Sequence, residues 1–565
     1  MVESVLCVLP CLVAGYMLHA PRWNRSSLTL EAALLTVGSI LAAILEHLPS
    51  SNTKLLNRHA TFSTRRYGVT IGTTLVPLVA TSTFLLADCL GISQDQSNFI
   101  QYILGIMHAV YVVSGMCLAN HVCHDWLKEN DASRYAVVAG ATGSLISVLA
   151  PFSPFSWWML TCAPVLFIGA FVVLQRIMGQ ILTLEETYII ATMSSISLLD
   201  MLFISLSMMK VLSKKLLFTR SIVSVFHPAL LWGMVLIGIV GYPILLQARL
   251  AQESQHNGVM HIVYSVGFAV SAIVVVGIID PWIWLIIKTE PFTWTITYIT
   301  DANTWRPYLI IYWMFLVTGA VTIASTWSST ASSLSSHINF RRKYFHALAL
   351  LLFAPGYLLE PQLMHLAFSV AISAFIMIEY MRIFHIGPIQ PQTMDMFVHQ
   401  FLNARDQLVQ SKSSPKGETK KRREVVVSHL SLMFGCAVPV WLTQIVLVLE
   451  NKPLLILGLT GILSLGVGDS AASIIGKAVG KTKWFRKDKT VEGTLGFVIG
   501  SLGALYAVQI WLDRFGDSVP KVGFFVGSAI SVVLTGLLEA FSEQNDNLVV
   551  PLYMFALLSL GMVYL

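Results

Sequence analysis

Runs of about twenty apolar residues recur along the whole of this chain, and no other feature limits its fold so tightly. In the first half they lie near Val5–Leu18, Leu30–Leu48, Val69–Leu90, Ile100–Ala119, Tyr135–Leu149, Trp157–Leu174, Tyr188–Met208, Ala229–Leu246, Ile262–Ile287 and Leu309–Ser325. In the second half they lie near Phe345–Leu358, Met364–Met381, Val427–Val448, Leu454–Ile475, Gly493–Leu512, Val522–Leu538 and Leu548–Tyr564. Each is close to the length an α-helix needs to cross ~30 Å of hydrocarbon. Lipid offers no partner to a backbone N–H or C=O, and a helix satisfies both within one segment. Composition excludes a soluble alternative, because only 12% of the 565 residues are charged, against about 25% in a soluble domain. The expected fold is an all-α polytopic membrane bundle with about fifteen to seventeen spans.

The first half holds no recognisable catalytic string. Val5–Leu18 is flanked by Glu3 rather than by lysines and no small-residue cleavage site follows, so an uncleaved first span is expected. Cys7, Cys11, Cys89, Cys117, Cys123, Cys162 and Cys436 lie mostly inside apolar runs without a CxxC pair. They read as small buried hydrophobes, not as a disulfide or zinc framework. Asn24-Arg25-Ser26 matches a glycosylation sequon, but Arg22 and Arg25 draw that loop to the cytosol. His121, Cys123 and His124 sit at a span's end without regular ligand spacing, which favours a span terminus over a metal site. Glu31, Glu46, Asp88 and Asp200 could line a cavity, or cap and snorkel at helix ends; Asp200 lies deepest in its run.

Chemistry concentrates between Leu465 and Gly500. Asp469 stands inside an apolar run, where a carboxylate costs about 2.5–3.5 kcal/mol and is kept when it faces a cation, a relay or a cavity. On a helix it shares a face with Ser473 and Gly476. Gly466, Gly468, Gly476 and Gly480 permit close backbone approach, and Lys477, Lys481, Lys483, Arg486, Lys487 and Lys489 add positive charge. That combination suits a polyphosphate. Gly476, Gly480, Lys481 and Thr482 spell GxxxGKT, one residue short of a P-loop and not preceded by a soluble strand, so a Walker A site is rejected.

GDSAASIIGKAVGKTKW followed by KDKTVEGT resembles the CTP-binding signature of dolichol kinases and, more distantly, of phytol kinases and CDP-diacylglycerol synthases. RRKYFH at Arg341–His346, EYMRIFHIGP at Glu379–Pro388, FLNARDQ around Arg405 and LLEAFSEQNDNLVVPLY at Leu537–Tyr553 agree with dolichol kinases in the same order. The resemblance covers roughly Ile338 to Leu565. Asp488 departs from it, standing where the family pattern has a second lysine, which leaves Lys487 and Lys489 to carry that charge. The resemblance implies a C-terminal half similar to the membrane cytidylyltransferase-type CTP-binding core. It implies transfer of the γ-phosphoryl group of CTP to dolichol, giving dolichyl phosphate and CDP at the endoplasmic reticulum membrane. The corresponding division is 1–337, a multi-span region without catalytic motifs, and 338–565, a catalytic membrane domain with a CTP-binding cytosolic loop at 476–492.

Charge bias gives the topology independently. Arg382–Ser428 carries Arg382, Arg405, Lys412, Lys416 and the run Lys420–Arg423, and Gly476–Glu492 carries the basic residues already named, so both are expected in the cytosol. KKRRE at Lys420–Glu424 reads as a topology anchor on anionic lipid, and nothing points to a nucleic acid. Counting spans from these loops puts Arg341–His346 and Glu539–Asn547 on the same face. All polar motifs of this half therefore share one side.

Roles follow from the chemistry of a nucleoside triphosphate. It brings its charge with a divalent cation, and Mg²⁺ takes one or two carboxylates with phosphate oxygens, which makes Asp469 the expected metal ligand. Lys477, Lys481, Lys487 and Lys489 are expected to hold phosphates, with Gly468, Ser473, Gly476, Thr490, Glu492 and Gly493 shaping the nucleotide site. The same lysines could form a plain solvated loop; the GDxxxS and KTxEG frames favour function at Asp469, Lys489, Thr490 and Glu492. Arg342, Lys343 and His346 could grip phosphate or simply anchor a span, and the family's RKxxH string favours the first. Glu539, Glu543 and Asp546 would gather along one helical face if their helix continues that far, where they could bind a second cation or take an alcohol's proton; a plain polar turn is the alternative. Two other readings stay open: a lipid cytidylyltransferase, and a transporter with an intramembrane acid.

Overall fold

The computed structural model describes residues 2–19, 28–47, 69–90, 97–126, 131–178, 181–211, 218, 220–253, 258–327, 334–387, 425–447, 454–485, 489–514 and 521–563. Most of these residues are helical, and the one β feature among the described residues is an isolated bridge between Lys483 and Thr490. In chain order the helices are α1 (Val2–His19), α2 (Thr29–His47), α3 (Thr70–Cys89), α4 (Ser97–Trp126), α5 (Asp131–Leu149), α6 (Trp157–Met178), α7 (Leu184–Met208), α8 (Ile222–Val240), α9 (Tyr242–Glu253), α10 (Gly258–Ile287), α11 (Pro291–Thr300), α12 (Arg306–Trp327), α13 (Leu334–Leu359), α14 (Pro361–Phe384) and α15 (Val427–Leu447). Two single turns, Leu455–Gly458 and Thr460–Leu463, then lead into a π-helical segment, Ser464–Asp469. It is followed by α16 (Ser470–Ala478), α17 (Val491–Arg514), α18 (Lys521–Phe541) and α19 (Asp546–Val563).

Thirteen of these helices are long and apolar enough to cross a membrane, and three shorter apolar ones, Ser133–Leu149, Tyr344–Leu359 and His429–Thr443, accompany them. Together they fall within the span count read from the sequence, and the chain is an all-α polytopic membrane protein. Three elements differ from the reading of apolar runs, the first being Leu454–Ile475, which is not one span but two single turns, the π-helical segment and the start of α16. The run Ala229–Leu246 is cut after Gly241, the right-handed C-cap of α8, because Pro243 follows in the first turn of α9 and has no amide to carry the helix ladder on. The ten-residue helix α11 lies outside the apolar runs, although Glu290 caps it through the amides of Phe292 and Thr293 and Pro291 occupies its first turn.

The helices pack as two compact units. One comprises Met1–Thr219, Leu449–Thr460 and Ala471–Leu565; the other comprises Arg220–Val448 and Gly461–Ser470. The division between 1–337 and 338–565 is one of motif content, whereas the packing follows other boundaries. In the first unit the most enclosed spans are α3, 89% buried, and the last helix α19, 83% buried. They pack on each other, with α1, α2 and α7 against α3 and α18 against α19. The Tyr553 hydroxyl donates to the Leu6 carbonyl, and the Cys89 thiol to that of Val563. Helices of the N-terminal half therefore form the wall around the C-terminal helix. No disulfide links the seven cysteines, five of which are buried.

In the second unit α8 packs on α10 and α14, with Ile237, Phe268, Val275 and Ile386 in one cluster and Phe226, Ile283 and Leu366 in another. Lipid tails are as apolar as leucine, so helix association in a membrane rests on close packing and interhelical hydrogen bonds. Gly461 shows the first: a Cβ there would lie 2.1 Å from the Gly435 carbonyl oxygen, so backbone meets backbone. The EYMRIFHIGP string ends α14. His385 is left-handed at φ 52°, Gly387 at φ 96°, and Arg382, almost wholly buried, pairs with Glu379 at 2.7 Å. FLNARDQ, KKRRE and the Asn24 sequon lie outside the described residues.

Candidate functional site

In the second unit the chemistry centres on the π-helical segment Ser464–Asp469. A π-turn widens the helix by one residue per turn and is frequent at functional sites. Gly466 lets the segment close on α13, since a Cβ there would lie 3.2 Å from Leu350 Cβ. Gly468 is buried in the same segment. One turn before Leu350, His346 Nδ1 lies 3.1 Å from the Leu465 carbonyl oxygen and 3.1 Å from Asp469 Oδ2. Both neighbours are acceptors, so Nδ1 carries the proton and donates. His346 is almost fully buried, whereas Asp469 keeps 23% of its side chain exposed. The histidine thus fixes the carboxylate on one side and leaves it reachable on the other. The neighbouring Ser470 hydroxyl is buried and makes no hydrogen bond among the described residues. Arg342 and Lys343 belong to α13, but their side chains lie outside the described residues.

In the first unit α16 crosses the start of α17 where both are glycine. Thr490 caps α17 by accepting from the Gly493 amide at 3.1 Å. A Cβ at Gly476, Gly480 or Gly493 would come within 2.8–3.0 Å of that same threonine hydroxyl. These glycines make close helix approach possible around a capping side chain, a reason that spacing alone did not reveal. Ser473 is half-buried on α16, and Lys477, Lys481 and Lys483 are exposed. Glu492 folds the basic loop back, accepting from the Thr482 amide at 3.0 and 3.2 Å, and the Val491 amide donates to the Thr482 carbonyl. Trp484 donates to Thr494 Oγ1 at 2.9 Å and packs on the Phe541 ring. Lys487 and Asp488 lie outside the described residues.

Lys489 leaves this loop and enters a cluster of acids. Its Nζ donates to Glu539 Oε1 at 2.7 Å, to the Glu539 carbonyl oxygen, and to Asp546 Oδ2 at 3.0 Å. Glu539 is 9% exposed, Asp546 and Lys489 about a third. Burial works against the ammonium charge, but Asp546 and Glu539 outweigh it and hold Lys489 well above the usual lysine range. The lysine therefore stays charged at neutral pH, beside two carboxylates. The expectation of one continuous acidic helix face is corrected here: α18 stops at Phe541, α19 begins at Asp546, and Glu543 is exposed in the turn between. Side-chain bonds in the turn divert the backbone from the helix, with Ser542 Oγ accepting from the Gln544 amide and Asn545 Oδ1 from the Asn547 amide. Glu539 and Asp546 are united by a shared lysine.

The same turn is tied to the N-terminal half. Glu186 Oε1 accepts from the Asn545 amide at 2.7 Å, and the Thr183 hydroxyl donates to Gln544 Oε1 at 2.6 Å. Thr183 and Glu186 form a capping box at the start of α7. The T-x-x-E spacing ahead of an apolar run signals such a box, yet nothing local links it to residues 359 and 361 positions away.

The helices and these clusters define a class, an integral membrane protein with ionic groups gathered at span ends. Comparison with known proteins gives the family. The dolichol kinase family model matches residues 160–480, more than half of the chain, and the chain belongs to that family. It is 31% identical over 272 residues to the dolichol kinase EVAN of Arabidopsis thaliana, covering 48% of this chain and 43% of that protein. Human dolichol kinase is 30% identical over 289 residues, half of each chain. Dolichol kinase sec59 of Schizosaccharomyces pombe is 30% identical over 295 residues, 51% of this chain and 54% of that one. The chain thus spans about half the length of the curated relatives it matches. No solved structure matches.

Proposed function

We propose that this protein phosphorylates dolichol at the expense of CTP, giving dolichyl phosphate and CDP for protein glycosylation. The reaction takes place at the endoplasmic reticulum membrane with the site open to the cytosol. Family membership supports the class of reaction, and the basic loops support the cytosolic orientation. The observation that carries the choice of phosphoryl transfer is the cluster of Lys489, Glu539 and Asp546. An alcohol must lose a proton as it attacks phosphorus, and a carboxylate at a span's end can take it. The acceptor of a lipid cytidylyltransferase is a phosphate that arrives already ionised.

In this reading Asp546, the more exposed of the two acids, or Glu539 accepts the hydroxyl proton, and Lys489 keeps both carboxylates in place. Lys477 and Lys481 are exposed for nucleotide phosphates. Among the described residues no group of three or more His, Cys, Asp or Glu is placed to hold a metal unaided. Asp469 and the Ser470 hydroxyl are hard oxygen donors of the kind Mg²⁺ takes, with water and phosphate oxygens completing its shell. These residues fit a cation that arrives with a nucleotide, and the cation would offset charge on the transferred phosphoryl group. His346 orients Asp469 for that task.

Acceptor chemistry tests the reading. Purified protein in nanodiscs is expected to release CDP from CTP when dolichol is present, and neither CDP nor pyrophosphate with phosphatidic acid. Pyrophosphate released with phosphatidic acid, and no CDP with dolichol, would favour the cytidylyltransferase.

A further inference from the structure

We infer that Thr183 and Glu186, in the N-terminal half, are positioning residues for the acid–lysine cluster; this inference rests on the proposed reaction. Asp546 stands in the first turn of α19, and its place depends on how that helix starts. The preceding residue, Asn545, accepts at its own carbonyl from the amides of Leu548 and Val549, and at Oδ1 from that of Asn547. Asn545 is therefore the cap that sets the helix axis, and its own amide is bonded to Glu186. Glu186 is fully buried, and its two carboxylate oxygens accept from the amides of Asn545 and Thr183. Thr183 completes the frame, accepting from the Glu186 amide while donating to Gln544.

The turn between α18 and α19 is held at two points. Lys489 joins Glu539 before the turn to Asp546 after it. The capping box of α7 fixes Gln544 and Asn545 between them. Lys489 holds the carboxylates and the Glu539 carbonyl, and Ser542 and Asn545 shape the turn from within, but neither pairs the Asn545 amide or anchors the Gln544 side chain. The capping box does both, and an amide left unpaired at this depth is costly. The start of α7 thus serves as a fixed platform under the acids, which gives the N-terminal half a part in the chemistry.

Thr183→Val, Thr183→Ser, Glu186→Ala and Glu186→Gln in the full-length protein in dolichol-containing nanodiscs test this, with kinetics and amide hydrogen exchange measured together. Thr183→Val and Glu186→Ala are expected to lower kcat by about ten- to a hundredfold, the effect of a shift of about 1 Å in a reacting group. KM for CTP should change by less than about threefold, because no nucleotide contact is removed. Thr183→Ser, which keeps the hydroxyl, should restore the wild-type rate, and Glu186→Gln, which keeps an acceptor for the Asn545 amide, should recover part of it. Exchange at Gln544–Leu548 should rise at least about tenfold in the two damaging variants, with α3 protected as before. Unchanged kcat in Thr183→Val, or a fall in kcat without faster exchange in this turn, would overturn the inference. If the wild-type protein transfers no phosphate to dolichol, the proposed function fails instead, and the exchange data alone decide whether the box holds the turn.

Discussion

Asp469→Asn is expected to lower turnover by about a thousandfold, with the protein still inserted in the membrane and melting close to wild type. The substitution keeps the shape of the side chain and an oxygen toward His346 Nδ1, so the join between α13 and the π-helical segment survives. What it removes is the negative charge on the partly exposed carboxylate. If that charge holds a cation against the transferring phosphoryl group, its loss costs about 4 kcal/mol of transition-state stabilisation, which is a factor of about a thousand. Steady-state kinetics across a range of Mg²⁺ concentrations provide the check. Activity within threefold of wild type would remove Asp469 from the site.

The second large effect is expected at Lys489. Lys489→Met leaves Glu539, which is nearly buried, and Asp546 without their shared cation. Breaking such a group costs about 3–5 kcal/mol when it is fully buried; with Lys489 a third exposed, about 1–3 kcal/mol is expected. Activity should fall by about a hundredfold or more, the range attributed to a misplaced or missing acid–base group. Adding Glu539→Gln to Lys489→Met should recover much of the lost melting temperature and none of the activity, because one uncompensated charge is removed while the proton acceptor is not restored. Equal melting temperatures for the single and double variants would show that the three groups are not coupled as an ionic unit.

The spans were legible in the sequence because each writes its own signal: an apolar run of sufficient length has one backbone solution in lipid. Breaks inside the runs were harder to see. Gly241 and Pro243 break a run that hydropathy alone reads as continuous, and the π-turn at Ser464–Asp469 has glycines at Gly466 and Gly468 but no pattern that sets it apart from an α-helix. The candidate site divided along the same line. Asp469 stood out because a carboxylate in an apolar run is expensive wherever the chain folds. The grouping of Lys489 with Glu539 and Asp546 is a tertiary fact across 50 and 57 residues, and the helix assumed to align the acids ends five residues before Asp546. The close backbone approach that the glycines permit is used within the chain at Gly476 and Gly493, which admit the Thr490 cap. The T-x-x-E box was present in the letters, but its link to Asn545 depends on α7 and α19 standing side by side with α3.

Transfer of the γ-phosphoryl group of CTP to dolichol is tested most directly by following each phosphate. Purified protein supplied with dolichol and CTP labelled at the γ-phosphate should pass the label to the lipid, and CTP labelled at the α-phosphate should yield labelled CDP and an unlabelled lipid. Recovery of the α label in the lipid, or of neither label there while CTP stays intact, would contradict it.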